Sequence, residues 1–317
     1  MTGEPPPEAK RGSVLILGLP YFGRLLVGDL AGLGWSARYL DHPGRHVGGW
    51  AKVASAATRA DIVYLIGSRI DRGSPQDNLL RFRRKPVVIH WVGTDVQIAV
   101  EEHRRDNVAL RIAERAIHWC DAPWLVEELR SAGVSSTFVP LPIPVAEGPP
   151  PPLPGRFGVL LYYPVDRQAR AVFDLDTMLR LPGAFPDVHF TLIPSPPETL
   201  PGPLPPNLEA RPWIDDMDPL YRETTALVRL TTHDGQSFMA AEALSRGRYV
   251  IWTHPMPGAI QASGFDQVAA ALRGLVERHR AGNLPLNAEG RRAALDRYGG
   301  GRPLAEIDER FLSLLPG

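Results

Sequence analysis

Residues 226–253 read ALVRLTTHDGQSFMAAEALSRGRYVIWT. The segments 226–231 and 249–253 are short apolar runs, which are typical of strands buried on both faces of a parallel sheet. Between them, a polar turn precedes a helix predicted over Ser237–Arg246. The Ser237 hydroxyl can cap the first turn of this helix, and glycine is the usual residue at the position of Gly247, just past a helix end. The stretch therefore predicts a strand–helix–strand unit of a parallel sheet.

The same alternation runs through the first half of the chain. Apolar runs predict strands at 13–20, 35–40, 61–67, 86–92 and, interrupted by proline, 137–145. Helices are predicted at 21–33, 101–119 and 124–132. The longest of these rests on Val108, Ile112 and Ala116, which share one helical face. Strands that alternate with helices indicate βαβ units.

The alternation restarts in the second half. Further strands are predicted at 157–163, 188–193 and 208–214, and further helices at 166–181, 220–225, 265–280, 288–297 and 304–314. Each half of the 317-residue chain is long enough for its own core. The sequence therefore predicts an α/β protein with two Rossmann-like domains.

A proline run separates the two halves. Residues 148–155 read GPPPPLPG, which cannot join a helix or a central strand and favours an extended conformation. We predict a first domain at 1–147, a stiff linker at 148–155 and a second domain at 156–317, with the option that the last helix packs back on the first domain. A surface loop within one domain is the alternative interpretation.

Composition excludes several function classes. Lys and Arg together total 35, as do Asp and Glu, so no overall positive charge favours nucleic-acid binding. The single cysteine, Cys120, excludes an intrachain disulfide and a multi-cysteine zinc site. No apolar run approaches the roughly 20 residues of a membrane helix, and residues 1–11 do not resemble a signal peptide. We expect a cytoplasmic protein.

One local basic stretch stands out. Residues 81–85 read RFRRK, which fits either a solvated helix end or a basic face. The second interpretation leaves peripheral contact with the inner membrane face open.

The turn before the 237–246 helix is the best candidate for a ligand site. At the carboxyl end of a parallel strand, a helix N-terminus presents unpaired N–H groups and a positive dipole end to anions. A diphosphate could bind the backbone amides of Gly235, Gln236, Ser237 and Phe238. Glu242 follows five residues after the cap. Because a buried carboxylate needs a partner, sugar hydroxyls are its expected ligand.

These residues resemble a known signature. Asp234-x7-Glu242, followed by Ala243-Leu244-x-x-Gly247-x-x-Val250-Ile251, is similar to the E-x7-E motif of retaining GT-B glycosyltransferases, especially family four. The resemblance implies two Rossmann-like domains facing across a cleft, and a nucleoside-diphosphate sugar as donor. It implies that Glu242 binds the ribose, that Asp234 lies near the transferred sugar and that the loop between them holds the diphosphate. An ordinary Rossmann-like helix with a surface Asp and Glu is the alternative.

The segment His90-x-x-Gly93-Thr94-Asp95 follows the fourth predicted strand. A histidine at a strand's carboxyl end is expected to face a ligand crevice. Similar segments occur in family-four-like glycosyltransferases, and the resemblance implies that His90 contacts donor sugar or acceptor. The alternatives are a locally satisfied core histidine, and for Asp95 a helix cap.

The cations of the donor site depart from the family pattern. Family members usually carry an Arg and a Lys after the first strand of the second domain, where they neutralise the diphosphate. This chain has Arg167 and Arg170 there, without a Gly-Arg…Lys-Gly pattern. Either these arginines or His233 substitutes, or catalysis is weak or absent. A helix-surface arginine is the alternative in each case.

The Gly18–Gly23 turn fits either a substrate-proximal loop or a tight strand-to-helix turn. The Asp215–Tyr221 loop matches the position of the family's base-reading loop. Just before this loop, Trp213 either stacks on a base or packs internally. Asp174 and Asp176 lie in a helical pattern, so we do not predict a metal-binding DxD motif, and we expect no bound metal or other cofactor.

Together these observations predict a glycosyltransferase that moves a sugar from a nucleoside-diphosphate sugar to an acceptor that the sequence does not identify, with retention of configuration. Two alternatives stay open: a degenerate GT-B protein that binds a sugar nucleotide or a partner without turnover, and a nucleotide-sugar epimerase. A dinucleotide-dependent oxidoreductase ranks lower because the phosphate-loop glycines are missing.

Overall fold

The computed structural model describes residues 11–41, 47–82 and 84–316. The described chain divides into two compact units, one made of residues 11–142 with 301–316 and the other of residues 143–300. The division falls before the proline run at 148–155, and the carbonyls of Pro152 and Pro154 accept hydrogen bonds from Arg248 and His279 of the second unit.

The first unit is built on a six-stranded parallel sheet. Its strands are β1 (Gly12–Gly18), β2 (Trp35–Leu40), β3 (Ile62–Ile66), β4 (Val87–Trp91), β5 (Ile117–Cys120) and β6 (Thr137–Phe138), in the order β2-β1-β3-β4-β5-β6. The intervening helices are α1 (Pro20–Gly32), α2 (Val47–Arg59), α3 (Pro75–Phe82), α4 (Thr94–Arg104), α5 (Leu110–Arg115) and α6 (Pro123–Ser131). Every residue of β3 and β4 is buried, as expected for parallel strands covered by helices on both faces.

The second unit has a sheet of the same kind. Its strands are β7 (Gly158–Tyr162), β8 (His189–Ile193), β9 (Leu208–Ala210), β10 (Ala226–Arg229), β11 (Tyr249–Trp252) and β12 (Ile260–Gln261). Its helices are α7 (Arg167–Arg170), α8 (Leu175–Ala184), α9 (Asp218–Glu223), α10 (Phe238–Ser245), α11 (Gly264–Arg280) and α12 (Ala288–Tyr298). The order β12-β11-β10-β7-β8-β9 is that of dinucleotide-binding Rossmann folds, so β7 and β10 flank the point where the strand order reverses.

The long helix predicted at 101–119 is wrong. The structure divides this segment among α4, α5 and β5. The chain leaves α4 at Asp106, whose φ of 53° is left-handed, and Val108 then forms a bridge with Asp71. The apparent apolar face therefore combined residues from different elements.

The helix predicted at 166–181 is also divided, because the Asp174 carboxylate accepts a hydrogen bond from the Thr177 N–H at 3.0 Å and starts α8. The strand predicted at 137–145 is only two residues long in β6. Sequence analysis missed α2, α3, β5 and β12.

The last helix, α13 (Arg302–Ser313), belongs to the first unit. Phe311 is fully buried and contacts the rings of Trp35, Tyr64 and Trp119 at centroid distances of 5.3–5.6 Å. The Trp35 indole N–H donates to Asp308 at 2.7 Å. None of the helices in the described ranges is long and apolar enough to cross a membrane.

We expect Phe311→Ala to lower the free energy of unfolding by about 3–5 kcal/mol, because it leaves a cavity among three aromatic rings. Leu312→Ala, one residue on and 42% exposed, is the matched control and should change stability by at most about 0.5 kcal/mol. Denaturant titration followed by tryptophan fluorescence measures both. Equal effects would contradict the assignment of α13 to the core of the first unit.

Candidate functional site

The candidate site lies at the carboxyl end of β10, beside β7. Ligands of open parallel sheets bind at such a point of strand-order reversal, in the loops that follow the strands. The loop 230–237 connects β10 to α10. It is therefore the structural counterpart of the turn that the sequence singled out.

The N-terminus of α10 is formed as the sequence predicts. The Ser237 hydroxyl accepts a hydrogen bond from the Ala240 N–H at 3.2 Å, which confirms the cap. Ala240, Ala241 and Ala243 are fully buried, so the helix packs closely within the unit. The first N–H groups of a helix have no partner within it, and they carry the positive end of its dipole.

The other end of α10 is also as predicted. Gly247 has a left-handed φ of 71°, and its N–H donates to Leu244 at 2.8 Å, while the Arg248 N–H donates to Ala243 at 2.9 Å. This is the Schellman arrangement of hydrogen bonds that ends helices. The eight residues of α10 are thus fixed at both ends.

Glu242 is partly buried and positioned by a residue that sequence analysis missed. The hydroxyl of Tyr221, a fully buried residue of α9, donates to Glu242 Oε2 at 2.8 Å. Burial raises the pKa of Glu242, while the Tyr221 hydrogen bond acts in the opposite direction. Only the apolar pair Leu220–Tyr221 hinted at a buried tyrosine, and no sequence spacing links it to Glu242.

Arg246, the C-cap residue just past the end of α10, supports this arrangement. Its guanidinium lies over the Tyr221 ring at 4.7 Å from the centroid and forms an ion pair with Asp218. Its Nη1 also donates to the backbone carbonyl of Glu242 at 3.1 Å. The helices α9 and α10 are therefore linked around Glu242 by one aromatic and two charged side chains.

Asp234, which the resemblance places near the transferred sugar, is paired with an arginine of β10. Its two carboxylate oxygens accept hydrogen bonds from Arg229, Oδ2 from Nε at 2.6 Å and Oδ1 from Nη2 at 3.1 Å. Both side chains are largely buried, with exposures of 11% and 15%. Such a two-point pair occupies the planar edges of both groups, so Asp234 is turned towards its own strand.

Arg229 is a cation at this edge of the sheet that sequence analysis missed. Its guanidinium lies 5.1 Å from the ring centroid of Tyr162 and 5.3 Å from that of Phe173. Burial alone would lower the pKa of Arg229, but the charge and hydrogen bonds of Asp234 raise it. The five-residue separation of Arg229 and Asp234 in the sequence gave no signal of this pair.

His90 has the environment of a structural residue, contrary to the prediction that it faces a ligand. It is fully buried, its Nε2 donates to the Val139 carbonyl at 2.8 Å, and its Nδ1 accepts from the Tyr64 hydroxyl at 2.5 Å. Burial lowers the pKa of His90 to about 3, so the ring is neutral. Both ring nitrogens are occupied within the first unit.

Asp95 is a structural carboxylate of the β4–α4 turn. It accepts hydrogen bonds from the N–H groups of Val92 at 3.0 Å and Ser68 at 3.3 Å. Asp95 lies inside the first turn of α4, whose N-cap is Gly93 without a side-chain cap, so the predicted cap role is wrong. Burial raises the pKa of Asp95 to about 6.

Arg170 is engaged in the loop after β7. Its Nε donates to the Pro164 carbonyl at 2.8 Å and its Nη1 to the Thr199 carbonyl at 3.3 Å. The group also lies 5.0 Å from the Tyr163 ring centroid. These contacts give Arg170 partners within the protein, and its role in neutralising a diphosphate stays a prediction.

The remaining residues predicted to bind an anion or a membrane surface are described only in part. The side chains of Arg167 and of residues 81–83 lie outside the described residues. Lys85 forms an ion pair with Asp61 at 3.0 Å. His233 is 8% exposed and Gln236 is half-buried in the 230–237 loop.

Trp213 is 62% exposed, so the packed alternative for this residue is wrong. Its indole N–H donates to Asp215 at 2.8 Å.

Gly18 adopts a φ of 108°, and a Cβ there would lie 1.9 Å from the Ile66 carbonyl oxygen. This favours the tight-turn alternative for the Gly18–Gly23 turn. In the described residues, no group of three or more His, Cys, Asp or Glu side chains could hold a metal ion.

Solved structures of other proteins share this architecture. The chain is similar to Anabaena HepE in complex with UDP-glucose, with 12% identity, a TM-score of 0.72, and coverage of 95% of this chain and 100% of that one. Sucrose-phosphate synthase from Thermosynechococcus elongatus gives 13% identity, a TM-score of 0.72, and coverage of 96% and 99%. The fold is GT-B. CalG4, the calicheamicin glycosyltransferase, shares this GT-B fold at 15% identity, with a TM-score of 0.51 and coverage of 98% and 100%.

No protein-family model matches the sequence, and no curated protein matches it significantly. The comparisons therefore establish the GT-B fold and leave the role of each residue to the geometry.

We expect Arg229→Met to destabilise the second unit of this GT-B fold by roughly 3–5 kcal/mol, because it leaves the Asp234 charge buried without its partner. Arg130→Met, which removes an ion pair with Glu127 whose side chains are 67% and 70% exposed, should cost at most about 1 kcal/mol. Thermal and denaturant unfolding measure both. If the double variant Arg229→Met/Asp234→Leu is no more stable than Arg229→Met, the buried-charge explanation is wrong.

Proposed function

We propose that the protein is a glycosyltransferase that transfers a sugar from a nucleoside-diphosphate sugar to a hydroxyl acceptor. The observation that carries the proposal is the combination of a capped helix N-terminus at the strand-order reversal with a partly buried carboxylate five residues further along the same helix. Tyr221 holds that carboxylate, Glu242, at a fixed position. The GT-B fold of the chain supports the same assignment.

In this proposal the start of α10 binds the diphosphate. The backbone N–H groups around Gly235, Ser237 and Phe238 donate to phosphate oxygens, and the helix dipole adds positive potential. The negative charge of the leaving diphosphate grows during the reaction, so fixed donors stabilise the transition state more than the ground state. We propose that these donors act without a bound metal, as the family resemblance implies.

Glu242 binds the ribose. Its ionised carboxylate has the acceptor capacity for two vicinal hydroxyls, and Tyr221 keeps one oxygen oriented. The exposed Trp213 provides an apolar face on which the nucleotide base can stack. Tyr221 is therefore a positioning residue, while Glu242 contacts the donor.

The role of Asp234 differs from that in the E-x7-E pattern. Its pairing with Arg229 neutralises a negative charge next to the diphosphate loop and fixes the loop to β10. We propose that family-four-like chemistry, with retention by front-side displacement, proceeds here with the pair as a structural element. The anomeric configuration of the product, determined by NMR, tests retention.

Glu242→Ala should weaken UDP binding by about 1.5–3 kcal/mol, the scale of hydrogen bonds to a charged group, or roughly 10- to 150-fold in Kd. Tyr221→Phe should give a smaller, several-fold loss, because the carboxylate stays but loses its orientation. Glu277→Gln, an exposed position on α11, is the control and should leave binding unchanged. Calorimetric titration of UDP and GDP measures these effects, and no binding of either nucleotide at millimolar concentration to the wild type would reject the donor site.

The affinity for UDP should depend on pH through Glu242. Because burial raises the pKa of Glu242, protonation begins at a higher pH than for an exposed glutamate, and it removes an acceptor for the ribose hydroxyls. The phosphate itself titrates with a pKa of about 6, so the informative quantity is the affinity ratio of wild type to Glu242→Gln. We expect this ratio to be largest where the carboxylate is fully ionised and to approach one as the pH falls. A ratio independent of pH would contradict the role of the ionised carboxylate.

One observation favours a second candidate, a protein that binds a sugar nucleotide without turnover. Of the two arginines that the resemblance assigns to the diphosphate, Arg170 donates to a backbone carbonyl. Arg229, which sequence analysis missed, is paired with Asp234, so both of these cations already have partners within the protein. Sugar release from a panel of UDP- and GDP-sugars distinguishes the two candidates. Release by the wild type and its loss in Glu242→Ala support the transferase, whereas tight binding with no release from any donor supports the second candidate.

A further inference from the structure

Arg248 is a fully buried cation of the second unit, placed between the end of α10 and the start of β11. Its Nε donates to the Tyr221 carbonyl at 2.9 Å, and its Nη2 donates to the Pro152 carbonyl at 3.0 Å. Burial and the neighbouring charges of Arg246 and Arg222 lower the pKa of Arg248 to about 10, so the guanidinium is charged at neutral pH. Because a charge buried on neutral partners costs stability, an apolar residue would suit a purely structural role better.

Tyr221 is held at both ends. Its carbonyl lies in the last turn of α9, where carbonyls lack a full set of helical partners, and it accepts from the Thr224 N–H at 3.3 Å and from Arg248. Its hydroxyl donates to Glu242 Oε2 at 2.8 Å, and the Met239 carbonyl is a competing acceptor at 3.4 Å. A shift of the Tyr221 backbone therefore changes which acceptor the hydroxyl reaches.

Arg248 ties Tyr221 to the helix that carries Glu242. The Arg248 N–H donates to the Ala243 carbonyl at 2.9 Å, which fixes its backbone to the end of α10. Its side chain then holds the end of α9. The carboxylate on α10 and the hydroxyl on α9 are therefore kept in register through Arg248.

The proline run supplies the second acceptor of Arg248. An extended proline-rich segment makes no hydrogen bonds within itself, so its carbonyls stay available to other groups. The Pro152 carbonyl holds one side of the guanidinium while the Tyr221 carbonyl holds the other. His279 of α11 donates to the Pro154 carbonyl at 2.8 Å. Of these two anchors of the run, Arg248 is the one that also bonds Tyr221.

We propose that Arg248 is a positioning residue that sets, through Tyr221, the preference of Glu242 for ribose over 2′-deoxyribose. This inference rests on the proposed function. A carboxylate held in one orientation presents its acceptors to both vicinal hydroxyls, so a deoxyribose leaves one acceptor without a donor. A carboxylate that turns freely uses water or the remaining hydroxyl instead, and it discriminates less.

The test measures the affinities of UDP and dUDP for the full-length protein by calorimetric titration, with GDP and dGDP as a second pair. The wild type should prefer the ribonucleotide about tenfold, the scale of one hydrogen bond to a charged group. Arg248→Met, which removes both hydrogen bonds, should reduce this preference to about threefold or less, mainly by weakening UDP. Arg248→Lys keeps the charge and should restore part of the preference.

His279→Phe is the matched control. It keeps a ring against Phe157 and loses the hydrogen bond to the Pro154 carbonyl, so it removes the other anchor of the proline run. It should bind both nucleotides as the wild type does.

A double-mutant cycle separates this role from a general loss of packing. In Tyr221→Phe the hydroxyl is already absent, so adding Arg248→Met should not reduce the preference further. A further reduction, or equal weakening of UDP and dUDP in Arg248→Met, would overturn the inference. Thermal unfolding checks that each variant is folded. If Arg248→Met does not fold, a wild-type preference in Arg248→Lys overturns the inference instead.

The outcomes for the two proposals differ. No binding of any of the four nucleotides to the wild type at millimolar concentration rejects the donor site, and this inference with it. A ribose preference that is present in the wild type and unchanged in Arg248→Met rejects this inference alone.

Discussion

The ion pair between Arg229 and Asp234 is the interaction on which the proposed donor site depends. It joins the end of β10 to the loop that leads into α10, so it fixes where the helix begins and where its N–H groups lie. The two charges cancel, and the aromatic rings of Tyr162 and Phe173 cover the guanidinium. An anion placed on this loop therefore meets the helix dipole with little opposition from Asp234.

The two carboxylates of the motif serve different purposes although they are eight residues apart on one loop and helix. Asp234 is held at both oxygens by a cation. Glu242 is held at one oxygen by the neutral Tyr221, in surroundings that raise its pKa. A carboxylate fixed by a neutral donor keeps its charge for a ligand, and this difference between the two environments makes Glu242 the centre of the proposed function.

The sequence predicted the fold class and most strands because buried parallel strands are short apolar runs with little ambiguity. The helix at 237–246 was predicted closely because its cap and its glycine stop are local signals. The error at 101–119 arose where Asp106 takes a left-handed conformation, which periodicity does not detect. The partners of the site residues escaped for a different reason. Tyr221 and Arg229 reach Glu242 and Asp234 through tertiary packing and side-chain direction, which residue spacing does not encode.

The return of α13 to the first unit has a consequence for how the chain is made. Residues 302–313 leave the ribosome after the whole second unit, yet Phe311 completes the aromatic cluster of Trp35, Tyr64 and Trp119. Until then, these three rings lack their contacts with Phe311 during translation. The aromatic cluster of the first unit can therefore be completed only after the whole second unit has been synthesised.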